Sequence, residues 1–170
     1  MWDTDILAGL LEGAYHSLFK NDDEDYIGYN YVKLLVEKPM SDTFSFHLYN
    51  SNDTYLWERK IWNKQSDSSK INTPIDTVKY IREKIIPNII EQKGTTDLKD
   101  AKEIFASAKL LCSINNKVEN SLTQIDCTAY YVQIKNEDIV KEFKWNQLPK
   151  EWNDVAILSS KIIELNNRIY

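Results

Sequence analysis

Hydrophobic residues recur every three or four positions in four stretches of the chain, and this spacing predicts amphipathic helices. In the first stretch, residues 3–19, a Leu, Ile or Ala falls on one helical face at every fourth position. The other three predicted helices cover residues 73–94, 97–112 and 152–169. Pro87 lacks an amide hydrogen, so we expect it to kink or split the second helix, which Gly94 should close.

Runs rich in β-branched and aromatic residues predict five strands, because such side chains fit a pleated sheet. The first three form a meander and the last two a hairpin, at residues 29–38, 43–50, 54–62, 122–135 and 138–146. The second strand alternates apolar residues such as Phe46 with polar ones such as His47, which predicts a half-buried strand and leaves open which face is buried. Residues 63–72 are polar and predict a loop.

The predicted element order, α-βββ-αα-ββ-α, places helices and hairpins in blocks rather than in regular β-α alternation. We therefore expect the α+β class, with an antiparallel sheet of about five strands packed with about four helices. No internal repeat or long linker divides the sequence, so residues 1–170 form one predicted domain of a size that suits a single core.

The charge balance and the apolar runs narrow the list of partners. Lys and Arg total 21 against 26 Asp and Glu, a formal net charge of −5. This sign is wrong for a protein that neutralises phosphates, so we expect no nucleic-acid partner. No apolar run reaches the roughly 18 residues that span a bilayer, and Asp3 and Asp5 stand where a signal peptide needs basic residues. We expect a cytoplasmic protein with no membrane partner.

Candidate catalytic and metal-binding patterns are few. Glu12 and His16 lie one helical turn apart, and we interpret them as a surface pair because His47 is the one other histidine. The acidic run after residue 20 fits only the start of an EF-hand loop, since Tyr26 replaces the turn glycine and Val32 the bidentate glutamate. Two cysteines are too few for a four-thiolate zinc site, and we expect both to be buried and inert. The sequence predicts no catalytic residue, no metal and no cofactor.

Aromatic residues are the most unusual part of the composition, with five Trp, ten Tyr and five Phe. Tyr55, Trp57 and Arg59 share one side of the strand at 54–62, and Trp62 lies on the other side. One interpretation is that both sides of this strand are covered. The other is that Tyr55, Trp57 and Arg59 face a partner, because Tyr, Trp and Arg concentrate binding energy at protein interfaces.

The C-terminal third carries a pattern of two strands, a proline corner and a helix. Its residues are Asp126, Thr128, Tyr130, Val132, Phe143, Trp145, Leu148, Pro149, Trp152 and the stripe that contains Leu158. This pattern, roughly 45 residues long, resembles the ending of many small uncharacterised bacterial proteins, some of which are similar to immunity proteins that neutralise a toxin. Cys127 stands where that pattern usually has Gly. The resemblance implies a hairpin and a final helix, and it implies no catalytic residues.

Together these features favour a non-catalytic protein-binding domain, an immunity protein or a phage-encoded inhibitor that occludes a basic effector or toxin. The predicted partner-binding residues are the acidic run and the aromatic set, namely Asp22, Asp23, Glu24, Asp25, Tyr55, Trp57 and Arg59. Acidic charge speeds encounter with a cationic partner, and salt screens this attraction. One alternative is a metal-dependent or small-ligand hydrolase built from dispersed acids, His16 and His47. A second alternative is a structural assembly subunit.

Overall fold

The fold combines one antiparallel sheet with helices, as seen in a computed structural model that describes residues 13–20, 28–38, 41–51, 54–71, 87–96, 98–113, 120–121 and 127–169. The strands are β1 (Asn30–Glu37), β2 (Thr43–Ser51), β3 (Thr54–Trp62), β4 (Ile89–Thr95), β5 (Asn120–Ser121), β6 (Ala129–Asn136) and β7 (Ile139–Trp145). The helices are a π-helical turn (His16–Lys20), α1 (Lys64–Ile71), α2 (Leu98–Ser113) and α3 (Asn153–Ile169), with a 3-10 turn at Lys150–Trp152. Among these described residues, no helix has the length and apolar character needed to cross a bilayer.

The strands form one sheet in the order β4-β3-β2-β1-β6-β7-β5. The predicted meander and hairpin join because β1 pairs with β6. Six strands are antiparallel to their neighbours, and the two-residue β5 runs parallel to β7. The α+β class is confirmed, and α2 and α3 match two predicted helices. The sheet has one long strand more than expected, which is β4.

Residues 89–95 form strand β4, so the prediction that they end a helix is wrong. Pro87 ends any helical pattern before this point, and the β-branched Ile89 and Ile90 then pair with β3. Gly94 serves close packing instead of helix termination. A Cβ atom there would lie 2.8 Å from Cζ2 of Trp57, so only Gly fits beneath the indole.

Helix α1 occupies residues that were predicted to form a loop. Its residues are mostly polar, so it lacks an apolar stripe, and side-chain hydrogen bonds hold it instead. The amide of Ser66 donates to Oδ1 of Asn63 at 3.0 Å, which caps the first turn. The buried Asp67 accepts hydrogen bonds at Oδ2 from Nε1 of Trp62 and from the amide of Asn88, both at 2.8 Å.

Side chains from alternate strand positions fill two cores, one on each face of the sheet. The larger core packs α2 and α3 against residues such as Val32, Leu34, Phe46, Leu48 and Val132. The smaller core lies on the opposite face and contains Ala14, Leu18, Phe19, Leu35 and Trp62. The prediction that β2 is half-buried is therefore wrong, because the segment 13–20 packs on its His47 side and both sides are buried.

Candidate functional site

A line of polar side chains crosses the sheet on the face opposite α2 and α3. Each of the six antiparallel strands contributes one residue at the same level, and we call this set the polar row. From β4 to β7 it consists of Lys93, Glu58, His47, Lys33, Gln133 and Glu142. Neighbours in the row are direct cross-strand pairs, whose Cβ atoms lie about 5 Å apart. The fold thus gathers ionisable groups from distant parts of the sequence.

Glu58 is fully buried and lies within ion-pair distance of three basic groups. Its Oε1 is 2.6 Å from Nζ of Lys93, and its Oε2 is 3.7 Å from Nζ of Lys60 and 3.6 Å from Nδ1 of His47. Burial by itself would raise the pKa of this carboxyl group, but attraction to the side chains of His47 and Lys93 holds the pKa below its ordinary value. Glu58 is therefore ionised at neutral pH.

His47 is neutral at pH 7, because burial lowers the pKa of its imidazole. Glu58 opposes this shift and the cationic Lys33 adds to it. Nδ1 of His47 lies 3.1 Å from the hydroxyl group of Tyr49, and the ring of Phe19 packs edge-on against the imidazole at 6.2 Å. A general acid or base must reach its substrate, whereas only 1 % of His47 is exposed.

The π-helical turn docks onto this face through its backbone carbonyl groups. Nζ of Lys60 donates to the carbonyl oxygen of Ser17 at 3.2 Å, and Oγ of Ser45 donates to that of Leu18 at 2.6 Å. The last carbonyls of a helix lack partners within the helix and carry partial negative charge, so a cation and a hydroxyl group satisfy them. Burial lowers the pKa of Lys60. The polar row and its neighbours thus position the helical segment on the sheet.

Three of the residues predicted to contact a partner, Tyr55, Trp57 and Arg59, are described, and they are at most partly accessible. Tyr55 is 7 % exposed, and its ring packs 5.7 Å from that of Phe105 on α2, so it belongs to the core. Trp57 is half-buried, stacks on Phe46 at 6.0 Å and donates from Nε1 to the carbonyl oxygen of Thr95. Arg59 is also half-buried on this side. The acidic residues 22–25 lie outside the described residues.

The histidines and cysteines occupy different environments. His16 is exposed on the π-helical turn, whereas His47 is buried against that segment, so the two do not line one cleft. Cys112 is buried as expected, and burial raises the pKa of its thiol. Cys127 is exposed, because it precedes β6 instead of lying within the strand. Within the described ranges, no three His, Cys, Asp or Glu side chains are placed to hold a metal ion.

The polar row can be predicted from the pairing register of neighbouring strands, but not from alternation along any single strand. Ser51 pairs with Thr54, so partner numbers in the β2–β3 pair add to 105, which places His47 opposite Glu58. Once the register was fixed, the opposition of an imidazole and a carboxylate would have predicted a paired site. No family model, curated protein or solved structure matches this chain.

Proposed function

We propose that this chain is a non-catalytic protein-binding domain that occludes a basic partner, in the manner of an immunity protein or a phage-encoded inhibitor. The observation that supports the proposal is an exposed apolar and acidic surface at one end of the sheet. There the amide of Glu137 donates to Oδ1 of Asn30 at 2.7 Å, which ties the turn of the β6–β7 hairpin to the start of β1.

The hairpin turn supplies the apolar part of this surface. Ile139 is 47 % exposed and Val140 is 51 % exposed, and the exposed acids Glu137 and Asp138 precede them directly. As successive strand residues, Ile139 and Val140 point to opposite faces of the sheet, so a partner would contact one of them together with the acids. A basic protein surface with a small apolar depression fits this arrangement.

We propose that the acidic run, which lies outside the described residues, contributes to the same surface. Residues 22–25 are four consecutive acids, and the chain rejoins the described residues at Gly28, two positions before β1. Three residues span at most about 11 Å, so Asp25 stays within that distance of Gly28. We therefore assign Asp22–Asp25 and the hairpin turn to one binding surface. Tyr55 is buried and is not part of it.

The test uses surface plasmon resonance against basic proteins encoded beside this gene, with lysozyme as an unrelated basic control. Replacing the acidic run by amides, as Asp22→Asn, Asp23→Asn, Glu24→Gln and Asp25→Asn, should slow association at least tenfold at low salt and leave the melting temperature unchanged. Ile139→Ser should instead speed dissociation, because the lost contact forms only in the bound complex.

A charge-matched control separates local attraction from net charge. It neutralises four exposed acids outside the proposed surface, namely Glu103, Glu151, Asp154 and Glu164. This variant should associate nearly as fast as the unmodified chain. Equal slowing of both variants, or an association rate that does not change with salt, would remove the acidic surface from the account.

A further inference from the structure

Strand β4 forms one edge of the sheet, and five of its seven residues are exposed. In the described residues it pairs with β3 on one side, and no strand follows it in the sheet. Ile90 is 45 % exposed, and the side chains of Glu91 and Lys93 are about half exposed. An exposed edge strand presents backbone amide and carbonyl groups that another strand can pair with. The sequence of β4 determines which strand fits.

The strand is complementary to itself when it is reversed. Antiparallel pairing of two copies about Gln92 aligns all seven residues, Ile89–Thr95, with no overhang. It places Glu91 opposite Lys93 of the second copy, and the two-fold symmetry repeats this pair. Ile90 then lies opposite Gly94 of the second copy, which leaves space for the aliphatic side chain. Opposite charges directly across an antiparallel pair are stabilising.

Neighbouring registers are disfavoured by the same charges. Symmetry about an axis normal to the sheet keeps side chains on one face, so the pairing can shift only to centres such as Glu91 or Lys93. Centring on Glu91 places two carboxylates in contact, and centring on Lys93 places two ammonium groups in contact. Both shifts also shorten the overlap. Charge therefore selects the register centred on Gln92.

The selected register also continues the charge pattern within each sheet. Nζ of Lys60 lies 3.9 Å from Oε1 of Glu91, and Lys93 pairs with Glu58. Across the contact the charges on one face alternate from Lys60 to Glu91, then to Lys93 and Glu58 of the second copy. We propose that β4 is the contact strand of a homodimer in which two copies of this chain form one continuous antiparallel sheet.

This dimer differs from the partner complex proposed above in its location and its strength. The hairpin β6–β7 lies toward the other side of the sheet, so the two contacts do not overlap. One pair of seven-residue strands buries less than the ~1,000 Å² of a stable interface, so the dimer should be weak. It should form only at high protein concentration.

Complementary charge variants test the dimer by sedimentation velocity. Glu91→Lys places lysines opposite each other in a homodimer, and Lys93→Glu places glutamates opposite each other, so each variant alone should stay monomeric. An equimolar mixture restores two opposite-charge pairs and should form heterodimers. In the mixture each variant still carries its own substitution, so any loss of stability within the chain is still present. Recovered dimerisation would therefore come from the restored contact between the two strands. A monomeric wild type at ~500 µM, or a mixture that stays monomeric, would overturn the proposal.

Disulfide trapping tests the register and remains informative if a charge variant fails to fold. In a Cys127→Ser background, Gln92→Cys puts two thiols on the symmetry axis, with Cα atoms about 5 Å apart, within disulfide range. It should cross-link on mild oxidation. The matched control Ile90→Cys places the thiols about 13 Å apart, four residues along the strand, and should not cross-link. Equal cross-linking at both positions would contradict this register.

Discussion

Replacing Glu58 by Gln should destabilise the protein strongly, because this carboxylate offsets the buried positive charge of its neighbours. The substitution preserves shape and removes the charge. Lys60, whose side chain is 2 % exposed, would keep the Ser17 carbonyl oxygen and Glu91, at 3.9 Å, as partners. Lys93 is half exposed, so water can solvate it once the pair is lost.

The expected loss follows from this difference in exposure. Removing one partner of a buried ion pair costs about 3–5 kcal/mol, because it leaves an uncompensated charge in the interior. Solvation of Lys93 places Glu58→Gln at the low end of this range, at about 3 kcal/mol. The matched control is Glu142→Gln in the same polar row, where the carboxylate accepts a 2.7 Å hydrogen bond from Gln133 and its side chain is 41 % exposed. That change should cost less than about 1 kcal/mol.

The assay is equilibrium urea denaturation at pH 7, followed by circular dichroism and tryptophan fluorescence. Coincident transitions from both probes establish that the unfolding is two-state, so that the free energies of unfolding can be compared. If Glu58→Gln costs no more than Glu142→Gln, Glu58 is not the buried counter-ion described here, and the docking of segment 13–20 needs another explanation.

Two further predictions concern His47 and Gly94. Because burial lowers the pKa of His47, the unfolded chain binds a proton first as the pH falls below about 6.5, so the free energy of unfolding should decrease by up to about 1.4 kcal/mol per pH unit. His47→Gln should flatten this slope between pH 6.5 and 5, whereas the control His16→Gln, at an exposed position, should not. The pKa of Glu58 is also lowered, but its effect on the free energy of unfolding begins only below about pH 4.5. An unchanged slope in His47→Gln would contradict the assignment. Gly94→Ala should lower the free energy of unfolding by about 1–3 kcal/mol, because the added methyl group clashes with the indole of Trp57. Trp57→Phe in the same chain should relieve most of that loss. If urea denaturation shows that the effects of the two substitutions add, the contact is not the cause.

Sequence periodicity predicted those elements whose stability comes from an apolar face. Helices α2 and α3 and the β2–β3 and β6–β7 hairpins belong to this group. Helix α1 was missed because a cap and the buried Asp67 hold it, and neither contributes to hydrophobic spacing. Strand β4 was missed because its isoleucines continue a helical stripe beyond Pro87.

The polar row shows the same limit at the candidate site. Alternation along β2 indicates two faces but not what covers the second one, so a polar face that lies under a helical segment resembles a solvated face. Burial of Lys33, His47 and Glu58 depends on register across six strands and on the docking of residues 13–20. Both are tertiary features, which the local spacing of residues does not encode.

The central claim is that the fold buries its ionisable cluster and leaves recognition to its surface. Amine labelling with an N-hydroxysuccinimide ester, read residue by residue by mass spectrometry, tests this directly. Lys33 and Lys60 are almost completely buried, whereas the side chain of Lys93 is 49 % exposed. In the native protein Lys33 and Lys60 should react far more slowly than Lys93, and in urea all three should react alike. Native labelling of Lys33 and Lys60 as fast as that of Lys93 would contradict the account.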